Sequence, residues 1–196
     1  MAYETHDKPQ AIRWHLREAT RVQHEALDAV ASGFSLTDPA GYRHFLRAHA
    51  RALPGLEAAL TAAGIMELIP DWPQRSRCAA LEADLALLGE DMPPAAPADL
   101  PPGPGAALGA AYVLEGSRFG NGMLLRQVRH GGDPRHNAAT AYLSHQAAWP
   151  AFLEQLEAHL GDPSSWSQAA SGARAAFRHF QTCMLTELAG EHAAHV

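Results

Sequence analysis

The chain has 196 residues, enough for one domain with a sizeable core. Apolar residues make up 47 % of it and charged residues only 18 %, a composition that excludes a largely disordered protein. The formal charge is −6 and Lys and Arg form no run, so the chain offers no electrostatic footprint for a phosphate backbone. We therefore expect no nucleic-acid partner.

Cysteine usage and hydropathy indicate the compartment. Cys78 and Cys183 lie far apart and match no metal-binding spacing, so we expect two reduced thiols. Residues 1–10 are polar and lack the apolar core of a signal peptide, and no run of about eighteen apolar residues occurs. These features predict a cytoplasmic protein without a membrane span.

Helix-forming residues dominate the chain and alternating β-branched runs are absent, which predicts an all-α fold. Asp7 and Pro9 signal the start of a first helix, whose apolar stripe runs from Ile12 to Val30. A second helix begins at Pro39 and ends near Gly64, with a kink or break expected at Pro54.

The remaining helices are predicted from the same signals. A third helix covers Arg75–Leu88, and a Pro-rich loop occupies residues 91–105. Three more helical segments follow, at Ala106–Val128, at Ala138–Leu160 with a break expected at Pro150, and at Ser165–Leu188. We expect a flexible tail from about residue 190 to residue 196, and a single domain over residues 1–196.

His24 lies at the edge of the apolar stripe of the first helix. Helical spacing places Arg17, Thr20, His24 and Leu27 on one side, with a cation two turns before an imidazole. This arrangement suits a flat apolar cofactor with anionic ends. The alternative from the sequence is a boundary histidine that is hydrogen-bonded to a neighbour.

A second unusual place is the glycine-rich segment from Glu115 to Gly122. It holds Gly116, Gly120 and Gly122, each of which costs a helix about 1 kcal/mol relative to alanine. Their missing side chains expose backbone on which a planar ligand or another helix can lie closely. Close helix packing, or a helix end with a turn, therefore stays open as the explanation.

Taken together, the two places resemble the haem oxygenase family, especially its bacterial, biliverdin-producing members. Leu16–Thr20 followed by His24 is similar to the family's proximal-helix motif, and Tyr112–Ser117 followed by Gly120 is similar to its distal-helix motif. The motifs are about ninety residues apart, and weaker similarity in the same order covers nearly the whole chain.

The resemblance implies a haem oxygenase-like fold with haem b, at once cofactor and substrate, between a proximal helix and a kinked distal helix. His24 would be the axial iron ligand, and Arg17 and Tyr112 would pair with the propionates. The other implied site residues are Thr20 as a cofactor contact, distal-face Gly116, Ser117 and Gly120, and an apolar wall of Phe177 and Phe180.

The activity implied by the resemblance is cleavage of haem by O₂ and external electrons to biliverdin, ferrous iron and CO. No flavin or nicotinamide fingerprint is present, so we expect a ferredoxin or a flavoprotein reductase as electron donor, and a biliverdin acceptor as a further candidate partner. Ser117 stands where many animal members carry an aspartate that organises water. Arg118 is expected to face solvent; the alternative is that it points toward the haem and pairs with a propionate.

Two alternatives remain from the sequence. One is a non-catalytic haem-binding carrier or sensor on the same fold, which would need a second ligand at the distal site. The other is the related helical fold of thiamine-degrading and quinone-forming enzymes, which would bind no haem through His24.

Overall fold

The computed structural model describes residues 11–194, with side chains for residues 12–190. Every regular element in this part of the chain is helical, which confirms the all-α prediction. The predicted helix start at Asp7 and Pro9 lies outside the described residues. The helices are α1 Ala11–Ala19, α2 Arg21–Ala31, α3 Pro39–Ala62, α4 Ile65–Leu68, α5 Trp72–Arg75, α6 Cys78–Leu87, α7 Pro104–Gly116, α8 Arg118–Gly131, α9 Pro134–Ala138, α10 Ala141–Ser144, α11 Trp149–Leu160 and α12 Trp166–Ala194.

The centre of the fold is the contact between α7 and α12. A Cβ at Gly109 would collide with the backbone of Ala169, and a Cβ at Gly172 would collide with the backbone of Ala106. The two helices therefore touch backbone to backbone, at an approach that only glycine permits. The other helices pack around this pair and share one buried hydrophobic cluster that includes residues from α1 to α12.

Helix α3 continues through Pro54 without the predicted break. Proline removes a helical hydrogen bond, and carbonyls near it are bonded by other parts of the chain. The amide of Ala96 donates to the Arg51 carbonyl at 2.8 Å, and His179 Nε2 donates to the Ala52 carbonyl at 2.8 Å. The bond from Ala96 also holds the Pro-rich segment, which has no helix between residues 90 and 103.

Other boundaries differ from the sequence-based expectations. The predicted helix Ala138–Leu160 is divided at residues 145–148 and not at Pro150, which lies in the first turn of α11. Proline is favoured in a first turn because its missing amide has no partner there in any case. The last helix extends to Ala194 and so covers most of the predicted tail.

Buried charge positions the short helix α10. The carboxylate of Asp84, on α6, is fully buried and accepts hydrogen bonds from the amides of Ala141 and Tyr142, both at 2.8 Å. Burial raises the pKa of Asp84, while these two amides oppose the rise.

Both cysteines are free thiols, as expected. Of the described helices, none combines the length and apolar character needed to cross a bilayer.

Because of the contact between α7 and α12, we expect two glycine-to-alanine substitutions on α12 to change the free energy of unfolding in opposite directions. Gly172→Ala should lower the free energy of unfolding by about 1–3 kcal/mol, because the methyl group meets the backbone of Ala106. Gly190→Ala, also on α12, should raise it by up to about 1 kcal/mol, because its Cβ meets no heavy atom within 4 Å and alanine favours helix. Chemical denaturation of both variants measures these changes. Equal changes in the free energy of unfolding would contradict the close contact between α7 and α12.

Candidate functional site

His24 lies on α2 with 61 % of its side chain exposed. Its Nδ1 is 3.2 Å from Oδ2 of Asp28, one turn further along the helix. A carboxylate can only accept, so Nδ1 carries the shared proton, and in the neutral ring Nε2 keeps its lone pair. A histidine oriented in this way is ready to ligate a metal through Nε2.

An aromatic side chain from the central helix supports this imidazole. The Phe177 ring, on α12, meets the His24 ring edge to face, with 5.7 Å between centroids and an interplanar angle of 87°. Phe177 is 8 % exposed and so forms part of a nearly buried apolar surface beside His24. Phe180, three residues later, is also buried, and its ring contacts that of His49 at 5.7 Å.

Thr20 marks the break between α1 and α2. Its hydroxyl donates to the Leu16 carbonyl at 2.7 Å, and the side chain is buried. Arg174, from α12, donates to the Ala19 carbonyl at 2.9 Å. The Thr20 hydroxyl proton is therefore used by the helix backbone, and the contact of Thr20 with a cofactor stays a prediction. The two hydrogen bonds hold the end of α1, next to the start of α2, which carries His24.

Tyr112, on α7, lies close to the basic side of α1. Burial raises the pKa of Tyr112, and the positive charges of Arg13 and Arg17 oppose that rise. The phenol therefore stays protonated and can donate a hydrogen bond. The guanidinium of Arg17 lies 5.4 Å from the centroid of Trp14, and that of Arg13 lies 5.9 Å from the ring centroids of both Trp14 and Trp149. Two cations and a neutral donor thus meet where α1 approaches α7.

The glycines of the distal segment are open and not packed. A Cβ at Gly116, Gly120 or Gly122 would meet no heavy atom within 4 Å. Close helix packing, which explains Gly109 and Gly172, therefore does not explain these three. Gly116 and Gly120 are four residues apart and share one face, so they leave a strip of bare backbone at the α7–α8 junction.

Ser117 lies between α7 and α8, with its hydroxyl directed at protein atoms. Its Oγ donates to the Leu114 carbonyl at 2.8 Å and accepts from Nη2 of Arg77 at 3.0 Å. The same Nη2 also donates to the Leu114 carbonyl at 3.1 Å. The hydroxyl proton is thus taken by the helix backbone, and Ser117 can offer bound water only an acceptor.

Arg118 does not face solvent, contrary to the expectation from the sequence. Its side chain is 8 % exposed and pairs with Glu115 at 2.7 Å. Glu115 is 1 % exposed and also accepts from Arg75 at 2.8 Å. Helical spacing alone could not show this, because the partner Arg75 lies in the separate short helix α5, whereas the sequence analysis placed Arg75 at the start of its third helix.

From these contacts we infer a cleft between α2 and the distal segment, with α12 as its floor. Both α2, through His24 and Phe177, and α7, through its glycine contacts, lie against α12. At one end, the charge of Arg17 acts on Tyr112. His24, on α2, and Gly116, at the end of α7, lie further along the chain. A cleft with one free imidazole nitrogen, a bare helical wall and cations at its end fits a planar metal complex that carries anionic groups.

Comparisons with known proteins agree with this geometry. No family model matches the chain. A curated heme oxygenase from Xanthomonas campestris pv. campestris (strain 8004) is 32 % identical over 167 residues, covering 80 % of this chain and 96 % of the relative. A solved heme oxygenase from Neisseria meningitidis, described in NO- and CO-bound states, superposes with a TM-score of 0.76 at 24 % identity, covering 91 % of this chain and 92 % of that one. The first similarity and the helical architecture together establish that this chain belongs to the haem oxygenase family.

Proposed function

We propose that this protein binds haem b through His24 and cleaves it with O₂ and external electrons to biliverdin, ferrous iron and CO. The observation that carries the proposal is the pairing of His24 with Asp28, which leaves Nε2 available beside Phe177 on a cleft whose other wall bears open glycines. Haem supplies the redox chemistry when bound, as both cofactor and substrate. The protein residues hold the ring, orient it and shape the space above it.

The anionic groups of haem have partners at the end of the cleft. Arg17 and Tyr112 are the proposed propionate partners, since a guanidinium and a protonated phenol both donate to carboxylates. Burial raises the pKa of Tyr112 by more than the two nearby arginines lower it, which keeps the Tyr112 proton in place. Phe177 would pack on the apolar body of the ring, and Phe180 would extend that apolar surface from behind.

The distal wall would contribute to the reaction because two of its residues have no side chain. Gly116 and Gly120 let the helix backbone come close to the ring face, which leaves a narrow space for O₂ and for water. The Ser117 hydroxyl can accept a hydrogen bond from such water but is not free to donate one. A carrier on the same fold would close this space with a second ligand, yet residues 116–122 include neither His nor Met.

Electrons must come from another protein. We propose a ferredoxin or a flavoprotein reductase as the donor, a cytoplasmic location, and one haem oxygenase domain over the whole chain. The common buried cluster from α1 to α12 supports the single domain. A biliverdin acceptor is a further proposed partner.

His24→Ala should abolish histidine ligation, because the variant has no imidazole at this place in the cleft. The ferric absorption spectrum of the haem complex should lose its histidine signature, and added imidazole should restore it. Asp28→Ala should keep the ligand but weaken haem affinity by about tenfold, through loss of the bond that orients the ring. His130→Ala, an exposed histidine on α8, is the control. An unchanged spectrum for His24→Ala would exclude His24 as the ligand.

Arg17→Ala should weaken haem affinity by about threefold to tenfold, because one charged partner of the propionates is lost. It should also change the ratio of biliverdin isomers if the ring rotates in the cleft. Haem titration and product chromatography measure the two effects, and Arg129→Ala, an exposed arginine on α8, is the control. If affinity and isomer ratio both stayed at wild-type values, Arg17 would have no place in the site.

Gly120→Leu should separate haem binding from chemistry. The variant should fold at least as stably as wild type, because the added side chain meets no neighbour and leucine favours helix by about 1 kcal/mol over glycine. It should still bind haem through His24 but form little biliverdin, because the side chain fills the space above the ring. Gly122→Leu is the matched control, since Gly122 is equally open but points away from the face that Gly116 and Gly120 share. Normal turnover by Gly120→Leu would refute the distal-face assignment.

A further inference from the structure

Behind the distal helix lies a buried polar cluster that the proposed chemistry does not use. Arg118 is two residues from both Gly116 and Gly120, so it projects from the opposite side of the helix. Its guanidinium donates to the Glu115 carboxylate, to the Arg75 carbonyl at 2.6 Å and to Nδ1 of His145 at 2.8 Å. One side chain therefore joins the start of α8, the end of α7, α5 and the connection after α10.

The contact with His145 requires a particular protonation state. A guanidinium can only donate, so Nδ1 of His145 must accept and cannot carry a proton. Arg118 Nη1 also lies 3.4 Å from the carbonyl of the same residue. The geometry thus fixes His145 in one neutral tautomer, with both its ring and its backbone held by Arg118.

The segment that His145 begins leads directly to the cleft. It covers residues 145–148, between α10 and α11, and its far end is held by Arg75, which donates to the Ala148 carbonyl at 3.2 Å. The next residue is Trp149, whose ring lies 5.9 Å from that of Tyr112 and 5.0 Å from that of Phe119. Movement of the segment would therefore move the aromatic group that packs on the proposed propionate partner Tyr112.

We propose that Arg118 is a positioning residue of the haem cleft, which holds Trp149 against Tyr112 through neutral His145, so that protonation of His145 releases the segment 145–148. The proposal rests on the proposed function for its effect on haem, but not for the contact itself. Its chemistry is simple: one proton on Nδ1 replaces an accepted hydrogen bond by repulsion between an imidazolium and a guanidinium.

The surroundings of His145 set the direction of the pH response. Burial lowers the pKa of His145, and the charges of Arg118 and of Arg77 lower it further. Glu115 on α7 and Glu57 on α3 act in the opposite direction and are weaker. Because the folded-state pKa is depressed, the contact is complete at neutral pH and is lost as pH falls below the usual range of histidine.

The test is hydrogen exchange of backbone amides in the full chain without haem, corrected for intrinsic exchange chemistry, at pH 7.5 and at pH 4.5, which lies below the usual range of histidine. In the wild type, the Ser144 and Phe152 amides flank the segment and donate to the Thr140 and Ala148 carbonyls. Their exchange should accelerate about tenfold at the lower pH, as expected for loss of one charge-assisted hydrogen bond. His145→Asn keeps an acceptor near the position of Nδ1 but does not titrate, so its exchange should stay slow at both values. His145→Leu has no acceptor and should exchange fast at both.

Arg118→Lys gives an independent variant that keeps a charge beside Glu115. A single ammonium cannot reach Glu115, the Arg75 carbonyl and His145 together, so exchange of the Ser144 and Phe152 amides should again be fast at pH 7.5. Amides of α3 and α12 should stay protected in every variant, which separates local release from unfolding. The proposal is overturned if His145→Asn accelerates at low pH as the wild type does, or if His145→Leu matches the wild type at pH 7.5.

A haem titration at pH 7.5 then connects the cluster to the cleft. His145→Leu should bind haem about threefold to tenfold more weakly than His145→Asn, because Trp149 no longer packs firmly on Tyr112. Equal affinities would remove the positioning role. If the wild-type chain bound no haem at all, the proposed function would fail, while the exchange experiment would still decide whether Arg118 and His145 hold the segment.

Discussion

The site depends on the backbone contact between α7 and α12. Gly109 and Gly172 allow the helices to approach more closely than any side chain would permit. This contact places the distal wall directly against the helix that carries Phe177, and Phe177 in turn meets His24. Both walls of the cleft therefore pack against the same helix, α12, and the distance between the walls does not depend on loops.

The two walls are held from behind by different means. On the proximal side, the Thr20 hydroxyl and the Arg174 guanidinium bond to the end of α1, so one neutral hydrogen bond and one cation hold the end of α1 next to the start of α2. On the distal side, Arg75, Arg77 and Arg118 surround the α7–α8 junction, with Glu115 as the central buried anion. Buried ion pairs add little net stability, but breaking one leaves a buried charge unpaired. The buried ion pairs therefore restrict the positions of α5, α7 and α8 more than a hydrophobic contact would.

Much of this could be predicted from the sequence, and the limits have physical causes. Helical periodicity and the two motifs led to His24, Tyr112 and the glycines, because a helix fixes which residues share a face. Whether the glycines were packed or open could not be predicted, since that depends on what lies opposite them in space. The role of Asp28 could have been found, because a carboxylate four residues after a histidine on a helix is a local pattern.

Long-range partners explain the remaining errors. Arg118 was expected in solvent because its burial depends on Arg75 and on His145, which are 43 and 27 residues away in the chain. Pro54 was expected to kink or break its helix, but α3 continues through it, and carbonyls near it are bonded by Ala96 and His179 from distant segments. Short helices such as α5 and α10 show no periodicity of their own. Their positions follow from tertiary bonds, such as those that the Asp84 carboxylate accepts.

The distribution of polar groups around the cleft fits the chemistry proposed for it. The hydroxyls of Thr20 and Ser117, which the sequence placed on the cleft, donate to the helix backbone, while the charged side chains of Arg75 and Arg118 lie on the far side of the distal helix. In the proposed reaction, haem is both the cofactor and the substrate. A protein side chain that donated a proton close to the iron would compete with the attack of haem-bound oxygen on the haem ring. A wall of bare backbone avoids that competition but cannot hold its own shape, since glycine gives a helix little rigidity. The buried arginines provide the missing rigidity from a side where their charges do not reach the reacting atoms directly.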